Sequence, residues 1–409
     1  MKPGKVLLRV FLILIATAFL LFIAVIFAVW MMYKTKNKGN LVSVPKQQEI
    51  PFTFTRSGHI LVPLQFDNDS TVYPFILDSG GSNYFFDKFL KEKQFHVCGI
   101  SISRDSGGNI AFPVIRKTTT VKMGNVQFSG LRFESGPFPN ACYDNVYGIL
   151  GKEAMRFLAW QIDFTHQQII VSGNIENLPV PPNTPEKNLG ENKFSHHLYI
   201  TLKMQDTISK TFLFDTGNSG ALSVRQGYLP FDRGASDSVR CIGVSSKGVN
   251  GKSQSEAMLV HYSDLSINDS LHLQNVWADR SATGLNLFGL GIMERFKVTF
   301  DWNKKIVYLE PEKELSGFTD SSLGFMMDYE NGETKISAVI ENSLAYDAGI
   351  RSGQKVLSVN GVKFSSEDDY CNFSLSEIDS VRLSVLGADS CTLNVTCKRE
   401  LLSGLSTKE

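Results

Sequence analysis

The chain has 409 residues, of which 43% are hydrophobic and 20% are charged, a composition that predicts two or three ordinary folded domains. Its 41 lysine and arginine residues equal its 41 aspartate and glutamate residues. With zero net charge and no basic stripe interleaved with aromatic residues, the sequence excludes nucleic acid as an expected partner.

The first predicted element is a transmembrane helix within residues 6–33. Residues 10–33 are apolar except for Thr17. This segment is long enough for a helix to cross a bilayer of about 30 Å. A cleavable signal peptide is the alternative, although the bulky residues Trp30 and Met31 stand where its cleavage site needs small ones. We expect a single-pass anchor with the body outside the cytoplasm, while lysines on both flanks leave the orientation open.

A twofold repeat dominates the β-prone sequence that follows. Asp78-Ser79-Gly80 and Asp215-Thr216-Gly217 each come directly after an apolar run that predicts a buried strand. Each is followed at nearly the same distance by two apolar residues and a glycine, in Ile149-Leu150-Gly151 and Leu287-Phe288-Gly289. A duplicated lobe explains this repetition, and it places one aspartate at the end of a strand in each half.

Two aspartates held together share one proton, because both cannot ionise comfortably at short range. The ionised carboxylate takes a proton from a bridging water, and the protonated one donates to a carbonyl oxygen on which negative charge develops. This chemistry needs neither a metal nor a cofactor, and we expect none. A glycine in each tripeptide lets the two loops approach, and the hydroxyl beside it can hydrogen-bond to the opposite loop.

The two tripeptides resemble the catalytic signature of aspartic peptidases of the pepsin and retropepsin type, over about residues 51–311. The resemblance implies a mostly β, bilobal fold that hydrolyses peptides or proteins in a cleft between lobes. It implies catalytic roles for Asp78 and Asp215. The residues expected to support the dyad are Ser79, Gly80, Thr216 and Gly217. The residues after the motifs, Gly81 and Asn218, depart from the family and leave the pH optimum open.

The substrate-covering flap is less clear in the sequence. The glycine-rich stretch containing Ser106, Gly107 and Gly108 is the candidate flap tip in the first half, and residues 246–251 are its equivalent in the second. Both stretches are equally compatible with plain turns.

The last unit resembles a PDZ domain. Leu323-Gly324-Phe325 matches the loop that binds a carboxylate in that family, and residues 348–361 match its helix, turn and strand. The resemblance implies capture of C-terminal peptides by strand addition. The whole order is similar to exported bacterial peptidases of this architecture.

Other interpretations remain open. The aspartates could cap turns, or the dyad could be degenerate, which would make the chain a non-catalytic peptide-binding scaffold. His196-His197 has no further ligand at metal-binding spacing, and a surface or strand pair is the simpler reading. The six cysteines allow 15 disulfide connectivities or buried thiols.

The expected organisation along the chain has seven parts. They are a transmembrane anchor (6–33), a linker (34–50), a first peptidase lobe (51–177), a connector (178–190), a second lobe (191–312), a PDZ domain (316–399) and a tail (400–409).

Overall fold

The structure, a computed structural model, describes residues 3–138, 142–143, 145–204, 208–227, 234–244, 247–253, 256–375, 378–387 and 391–406. Its α-helices are α1 (Pro3–Lys36), α2 (Asp87–Glu92), α3 (Lys152–Met155), α4 (Leu290–Met293), α5 (Leu344–Asp347) and α6 (Glu367–Cys371). Short 3₁₀ helices lie at Ile175–Asn177 and Leu402–Gly404.

The first half of the body consists of strands. They are β1 (Asn40–Ser43), β2 (Gln48–Pro51), β3 (Thr53–Phe54), β4 (Ile60–Phe66), β5 (Tyr73–Asp78), β6 (Tyr84–Phe86), β7 (His96–Ile100), β8 (Ser103–Arg104), β9 (Ile110–Ala111), β10 (Val114–Lys117), β11 (Thr120–Met123), β12 (Val126–Ser129), β13 (Arg132–Gly136), β14 (Gly148–Gly151), β15 (Ala159–Asp163) and β16 (Gln168–Ser172).

The second half repeats this plan. Its strands are β17 (Glu186–Asn188), β18 (Gly190–Glu191), β19 (Leu198–Met204), β20 (Ile208–Phe214), β21 (Leu222–Arg225), β22 (Asp237–Gly243), β23 (Lys247–Gly248), β24 (Gly251–Lys252), β25 (Ala257–Ser266), β26 (His272–Ser281), β27 (Leu287–Phe288), β28 (Phe296–Asp301) and β29 (Ile306–Pro311).

The C-terminal unit completes the chain. Its strands are β30 (Ser316–Phe318), β31 (Ser321–Ser322), β32 (Phe325–Glu330), β33 (Glu333–Ile340), β34 (Val356–Val359), β35 (Ser380–Leu386), β36 (Thr392–Lys398) and β37 (Glu400–Leu401). The predicted mostly β fold, with two lobes, a C-terminal α+β unit and one apolar N-terminal helix, is confirmed.

Each predicted catalytic loop follows a strand that is buried between two neighbours. In the first lobe β5 pairs in parallel with β14, which in turn pairs in the antiparallel sense with β6. In the second lobe β20 pairs in parallel with β27, which pairs with β21. Strands covered on both sides need continuous apolar sequence, which explains the unbroken runs before each aspartate.

A six-stranded antiparallel sheet joins the lobes, in the order β17-β29-β28-β15-β16-β2. At its centre β15 pairs with β28, so that Trp160 lies opposite Phe300. Both of these side chains are fully buried. Because each lobe contributes equivalent strands, this sheet relates the two lobes by an approximate twofold axis and fixes the cleft between them.

The three segments predicted as linker, connector and tail each contribute strands to the sheets. The expected linker (34–50) contributes β1 and most of β2, and the expected connector (178–190) contributes β17. The expected tail (400–409) begins with β37, and its Leu402 and Leu405 are buried against the second lobe. The bounds given for these three segments stay a prediction. Their short strands carry too few apolar residues to be recognised, and the neighbouring strands supply most of the contacts.

Helix α1 is the one described helix that is long and apolar enough to cross a membrane, between Val10 and Lys36. A signal sequence would have the same properties. At its end the Lys36 ammonium forms a 2.7 Å ion pair with Glu134 of β13, so the helix is attached directly to the first lobe.

Candidate active site

The two predicted catalytic loops brace one another through their hydroxyl residues. The Ser79 amide donates to Thr216 Oγ1 at 2.9 Å, and the Thr216 amide donates to Ser79 Oγ at 2.9 Å. Each hydroxyl also donates to a strand carbonyl of the opposite lobe, Ser79 to Phe214 at 2.7 Å and Thr216 to Leu77 at 2.9 Å. Both side chains are fully buried, so these four bonds form a closed ring without solvent.

Close approach of the loops depends on their glycines. A Cβ atom at Gly80 would lie 2.4 Å from Asp215 Cγ, and one at Gly217 would lie 2.2 Å from Asp78 Cγ. Such distances are far below van der Waals contact, so only glycine fits at either position. The Asp78 and Asp215 side chains consequently face each other closely enough for each to shift the pKa of the other.

The environment of the pair favours a single shared proton. Burial raises the pKa of Asp78, and burial together with the Asp78 charge raises the pKa of Asp215 well above its ordinary value. Asp78 Oδ1 accepts the amides of Gly80 at 2.9 Å and Gly81 at 2.6 Å. The Gly217 amide donates to Asp215 Oδ1 at 2.9 Å.

A buried lysine makes the two halves electrostatically different. Lys152 begins α3 and lies behind the first catalytic loop, where its ammonium donates to Ser82 Oγ at 2.9 Å and to the Gly81 carbonyl at 3.2 Å. Its positive charge opposes the rise in the pKa of Asp78. The equivalent position of the second lobe is Leu290, so Asp215 has no matching cation.

A cavity of about 510 Å³ lies in front of the aspartates and is lined by both lobes. The β8–β9 hairpin covers it from the first lobe and carries Ser106, Gly107 and Gly108 at its turn. Ser106 lines the cavity. The tip rests on the second lobe, where the Thr283 hydroxyl donates to the Gly107 carbonyl at 3.2 Å.

A second hairpin, β23–β24, meets the first above the cavity. The Asn250 backbone amide donates to Asp105 Oδ2 at 3.0 Å, and the Asn109 side-chain amide donates to the Lys252 carbonyl at 2.8 Å. Ser246, the first residue of the predicted second flap, lies outside the described residues. The two hairpins thus touch each other over the candidate site.

The C-terminal unit is joined to the second lobe at this hairpin. Strand β33 pairs with β22, which extends the lobe sheet into the C-terminal unit. On neighbouring β32, Asp328 forms an ion pair with Lys247 of the flap hairpin, and Glu330 contacts Lys247 at 3.4 Å and Lys252 at 2.6 Å.

The same unit is linked covalently to the first lobe. Cys142, in the segment before β14, forms a disulfide with Cys371 at the end of α6. The Cys142 amide also donates to Glu367 at 3.0 Å. The four other cysteines, Cys98, Cys241, Cys391 and Cys397, are not in a disulfide.

The predicted carboxylate-binding loop precedes β32. Leu323 and Phe325 are buried in the core of the C-terminal unit, and Gly324 has φ +82°. Across from this loop, the Tyr370 hydroxyl of α6 donates to the Met327 carbonyl of β32 at 2.9 Å. Tyr370 therefore covers part of the edge at which an added strand would pair.

Two histidines and Lys152 were missed as site residues in the sequence. His59 and His197 line the cavity, and the backbone of a glycine in the opposite predicted loop affects the pKa of each. His196 points elsewhere and pairs with Glu191 at 2.9 Å. The signal was present in the repeat, because His59 and His197 directly precede equivalent strands, β4 and β19.

Comparison with known families identifies the C-terminal unit, since residues 335–383 match the family model described as PDZ domain. This unit is a PDZ domain. Strands β33 to β35 and both of its short helices lie in or overlap the matched region, and the loop at Leu323-Gly324-Phe325 precedes it.

Solved structures resembling the chain include conglutin gamma, a basic 7S globulin from lupine seeds, at 12% identity and a TM-score of 0.41, covering 66% of this chain and 96% of that one. They also include the aspartic proteinase from Irpex lacteus, at 13% identity and a TM-score of 0.41, covering 65% and 97%. Both similarities are too distant to indicate an activity. No curated protein matches the sequence.

Proposed function

We propose that this protein is an aspartic endopeptidase in which Asp78 and Asp215 activate a water molecule for attack on a peptide bond. The observation that carries the proposal is the convergence of the two carboxylates. Each carboxylate lies against the glycine of the opposite loop, and the space between that carboxylate and that glycine is too small for a Cβ atom. The ring of hydroxyl bonds formed by Ser79 and Thr216 supports this geometry from behind.

The electrostatics support different roles for the two acids in this proposal. Asp78 gives up its proton first, because the interaction with Asp215, the Gly81 amide and the Lys152 charge all lower its pKa. Asp215 retains the shared proton, because burial and the adjacent Asp78 charge both oppose its ionisation. In this scheme Asp78 is the base that accepts a proton from water. Asp215 donates its proton toward the carbonyl oxygen, where charge develops in the transition state.

The test is cleavage of an unstructured protein by the full-length chain in detergent, measured between about pH 3 and pH 8. The Asp78→Asn and Asp215→Asn variants should each lose cleavage, because an amide can neither share the proton nor act as the base. Asp264→Asn is the matched control, since Asp264 lies on β25 and contacts His272 rather than the cavity. It should cleave at the wild-type rate.

A non-catalytic peptide-binding scaffold is the alternative. It predicts no cleavage at any pH, with peptide binding retained by the wild type and by both asparagine variants. Cleavage that persists in both asparagine variants would contradict the peptidase proposal directly.

The N-terminal helix and the disulfide support a location for this activity. We propose that α1 anchors the chain in a membrane and that the body lies outside the cytoplasm, because disulfides persist mainly in oxidising compartments. Labelling of Cys391, an exposed thiol, by a membrane-impermeant reagent on intact cells tests this side. Labelling that requires lysis would place the body inside.

For the PDZ domain we propose binding of C-terminal peptides along β32, with the loop at Leu323-Gly324-Phe325 receiving the carboxylate. Strand β32 pairs along one edge with β33, and the Tyr370 hydroxyl donates a hydrogen bond to a backbone carbonyl near its other edge. Tyr370→Phe should therefore tighten binding of a labelled peptide with a free C-terminus. The same peptide amidated at its C-terminus is the control, and equal binding of both would exclude recognition of the carboxylate.

Peptide binding at β32 should also affect the flap, because Asp328 and Glu330 of that strand hold Lys247 and Lys252. These pairs are partly buried, and we expect the Asp328→Asn/Glu330→Gln variant to change kcat/KM by about 3- to 10-fold. Glu333→Gln, which removes ion pairs within the PDZ domain alone, is the matched control. A change in kcat/KM no larger than that of Glu333→Gln would contradict an effect of the PDZ domain on the flap.

A further inference from the structure

Two histidines occupy equivalent places in the repeated lobes. His59 directly precedes β4, and His197 directly precedes β19, the first long strand of each lobe. Aligning β4 with β19 places His59 on His197, in nearly the register that places Asp78 on Asp215. The duplication has therefore kept an imidazole at the same position in both halves.

Each imidazole reaches across to the opposite lobe. Both imidazoles line the cavity between the lobes, where the Gly217 backbone raises the pKa of His59 and the Gly80 backbone raises that of His197. This direction is the one expected when an imidazole N–H faces a peptide carbonyl. The two glycines are those against which the catalytic carboxylates pack.

The other nitrogen of His59 is also held. Its Nδ1 lies 3.0 Å from the Tyr143 hydroxyl and 3.1 Å from the Ser57 hydroxyl, both of which can donate to it. With Nδ1 accepting, Nε2 carries the ring proton, which is the one available to the Gly217 carbonyl. These contacts fix both the ring orientation and the neutral tautomer.

We propose that His59 and His197 are a symmetric pair of positioning residues, each of which holds the catalytic loop of the opposite lobe through the backbone of its glycine. This inference rests on the proposed peptidase function. Displacement of either glycine carbonyl would move the loop whose amides bind the catalytic carboxylate. The pair therefore acts on the orientation of the aspartates rather than on the substrate.

The electrostatic surroundings keep both rings neutral. Burial lowers the pKa of His59 to about 4, against the opposing effect of the Gly217 carbonyl. Burial also lowers the pKa of His197 well below its ordinary value, together with the charges of Lys152, Lys36 and His196. The Gly80 carbonyl opposes this shift.

The test compares leucine and glutamine at each position in the full-length chain. His59→Leu and His197→Leu remove the donor and should lower kcat by about 10-fold or more, with little change in KM. His59→Gln and His197→Gln supply an amide N–H and should recover most of that loss. The glutamine variants should also alter the acid limb of the pH profile of kcat, because glutamine does not titrate.

Histidine-selective ¹⁵N NMR supplies a readout that does not need activity. In wild type and in Asp78→Asn, His59 should remain the neutral Nε2–H tautomer at pH 5.5, where a free imidazole of ordinary pKa is largely protonated. Melting temperatures of all variants identify any that are merely unfolded.

Three results would contradict the proposal that His59 and His197 are positioning residues. They are a His59 ring that is protonated or in the Nδ1–H form at pH 5.5, leucine variants as active as wild type, and folded glutamine variants no more active than the leucine ones. Loss of the proposed function has a different signature: a wild type without cleavage whose histidine spectra are still as expected.

Discussion

Replacing Ser79 with alanine should destabilise the interlobe core strongly. The Ser79 hydroxyl donates to the Phe214 carbonyl at 2.7 Å and accepts the Thr216 amide at 2.9 Å. Alanine removes both bonds and leaves a buried carbonyl and a buried amide without these partners. Ser79 and Thr216 are fully buried, so water has no ready access to replace the hydroxyl.

The magnitude follows from those two groups. Leaving one buried polar group unpaired costs about 1–3 kcal/mol, so the two together should lower the free energy of unfolding by about 2–6 kcal/mol. Ser79→Thr is the matched control, because the equivalent residue of the other lobe is a threonine that makes the same two kinds of bond. It keeps both bonds and adds one methyl group, so it should cost less than Ser79→Ala.

The assay is urea unfolding followed by tryptophan fluorescence. Trp160 lies on β15, and Trp302 directly follows β28, so both report on the sheet that joins the lobes. Both are buried and should change emission when that sheet opens. A loss below about 1 kcal/mol for Ser79→Ala, or an equal loss for Ser79→Thr, would refute the reasoning that the closed hydroxyl ring stabilises the interface.

Three further changes have defined outcomes. Gly217→Ala should abolish cleavage, because its Cβ would lie 2.2 Å from Asp78 Cγ and would force the carboxylate out of place. Cys371→Ser should lower the urea midpoint and reduce the free energy of unfolding by up to about 5 kcal/mol. The reason is that the disulfide to Cys142 closes a loop with a sequence separation of 229. His59 should lower the free energy of unfolding as the pH falls from about 6.5 to about 4, because the unfolded chain binds a proton there that the folded chain does not. The loss is at most about 3 kcal/mol. The His59→Gln variant should remove this loss in urea titrations across that pH range.

Each of these changes has a control within the chain. Gly404→Ala meets no atom within 4 Å and should retain full cleavage. Cys391→Ser alters a thiol outside the disulfide and should leave the urea midpoint unchanged. His272→Gln alters a histidine of β26 outside the cavity and should retain the acid-dependent loss of stability. Results that match the control in any of the three cases would contradict the corresponding prediction.

The sequence was most informative where the repeat is strong. Apolar runs before Asp78 and Asp215 predict buried strands, and duplication predicts that their ends meet, so the mostly β bilobal fold could be predicted. The PDZ domain could be predicted from its loop and its helix-turn-strand core. Both depend on local patterns of apolar residues and glycines, which a single sequence displays directly.

The remaining features arise from long-range packing. Nothing near Cys142 indicates that Cys371 is its partner, because only the docking of the PDZ domain on the first lobe brings them together. The ion pairs of Lys247 with β32 depend on the same docking. His197 was read with its neighbour as an ordinary histidine pair. Its role becomes visible only when the second lobe is aligned with His59.

The most direct test of the central claim is kcat for cleavage of one unstructured protein by wild type, Asp78→Asn, Asp215→Asn and the double variant. Two acids that act as one proton-sharing unit should give non-additive losses, with each single variant about as impaired as the double. Additive losses, or a single variant that retains substantial activity, would contradict the claim that the two carboxylates activate water together.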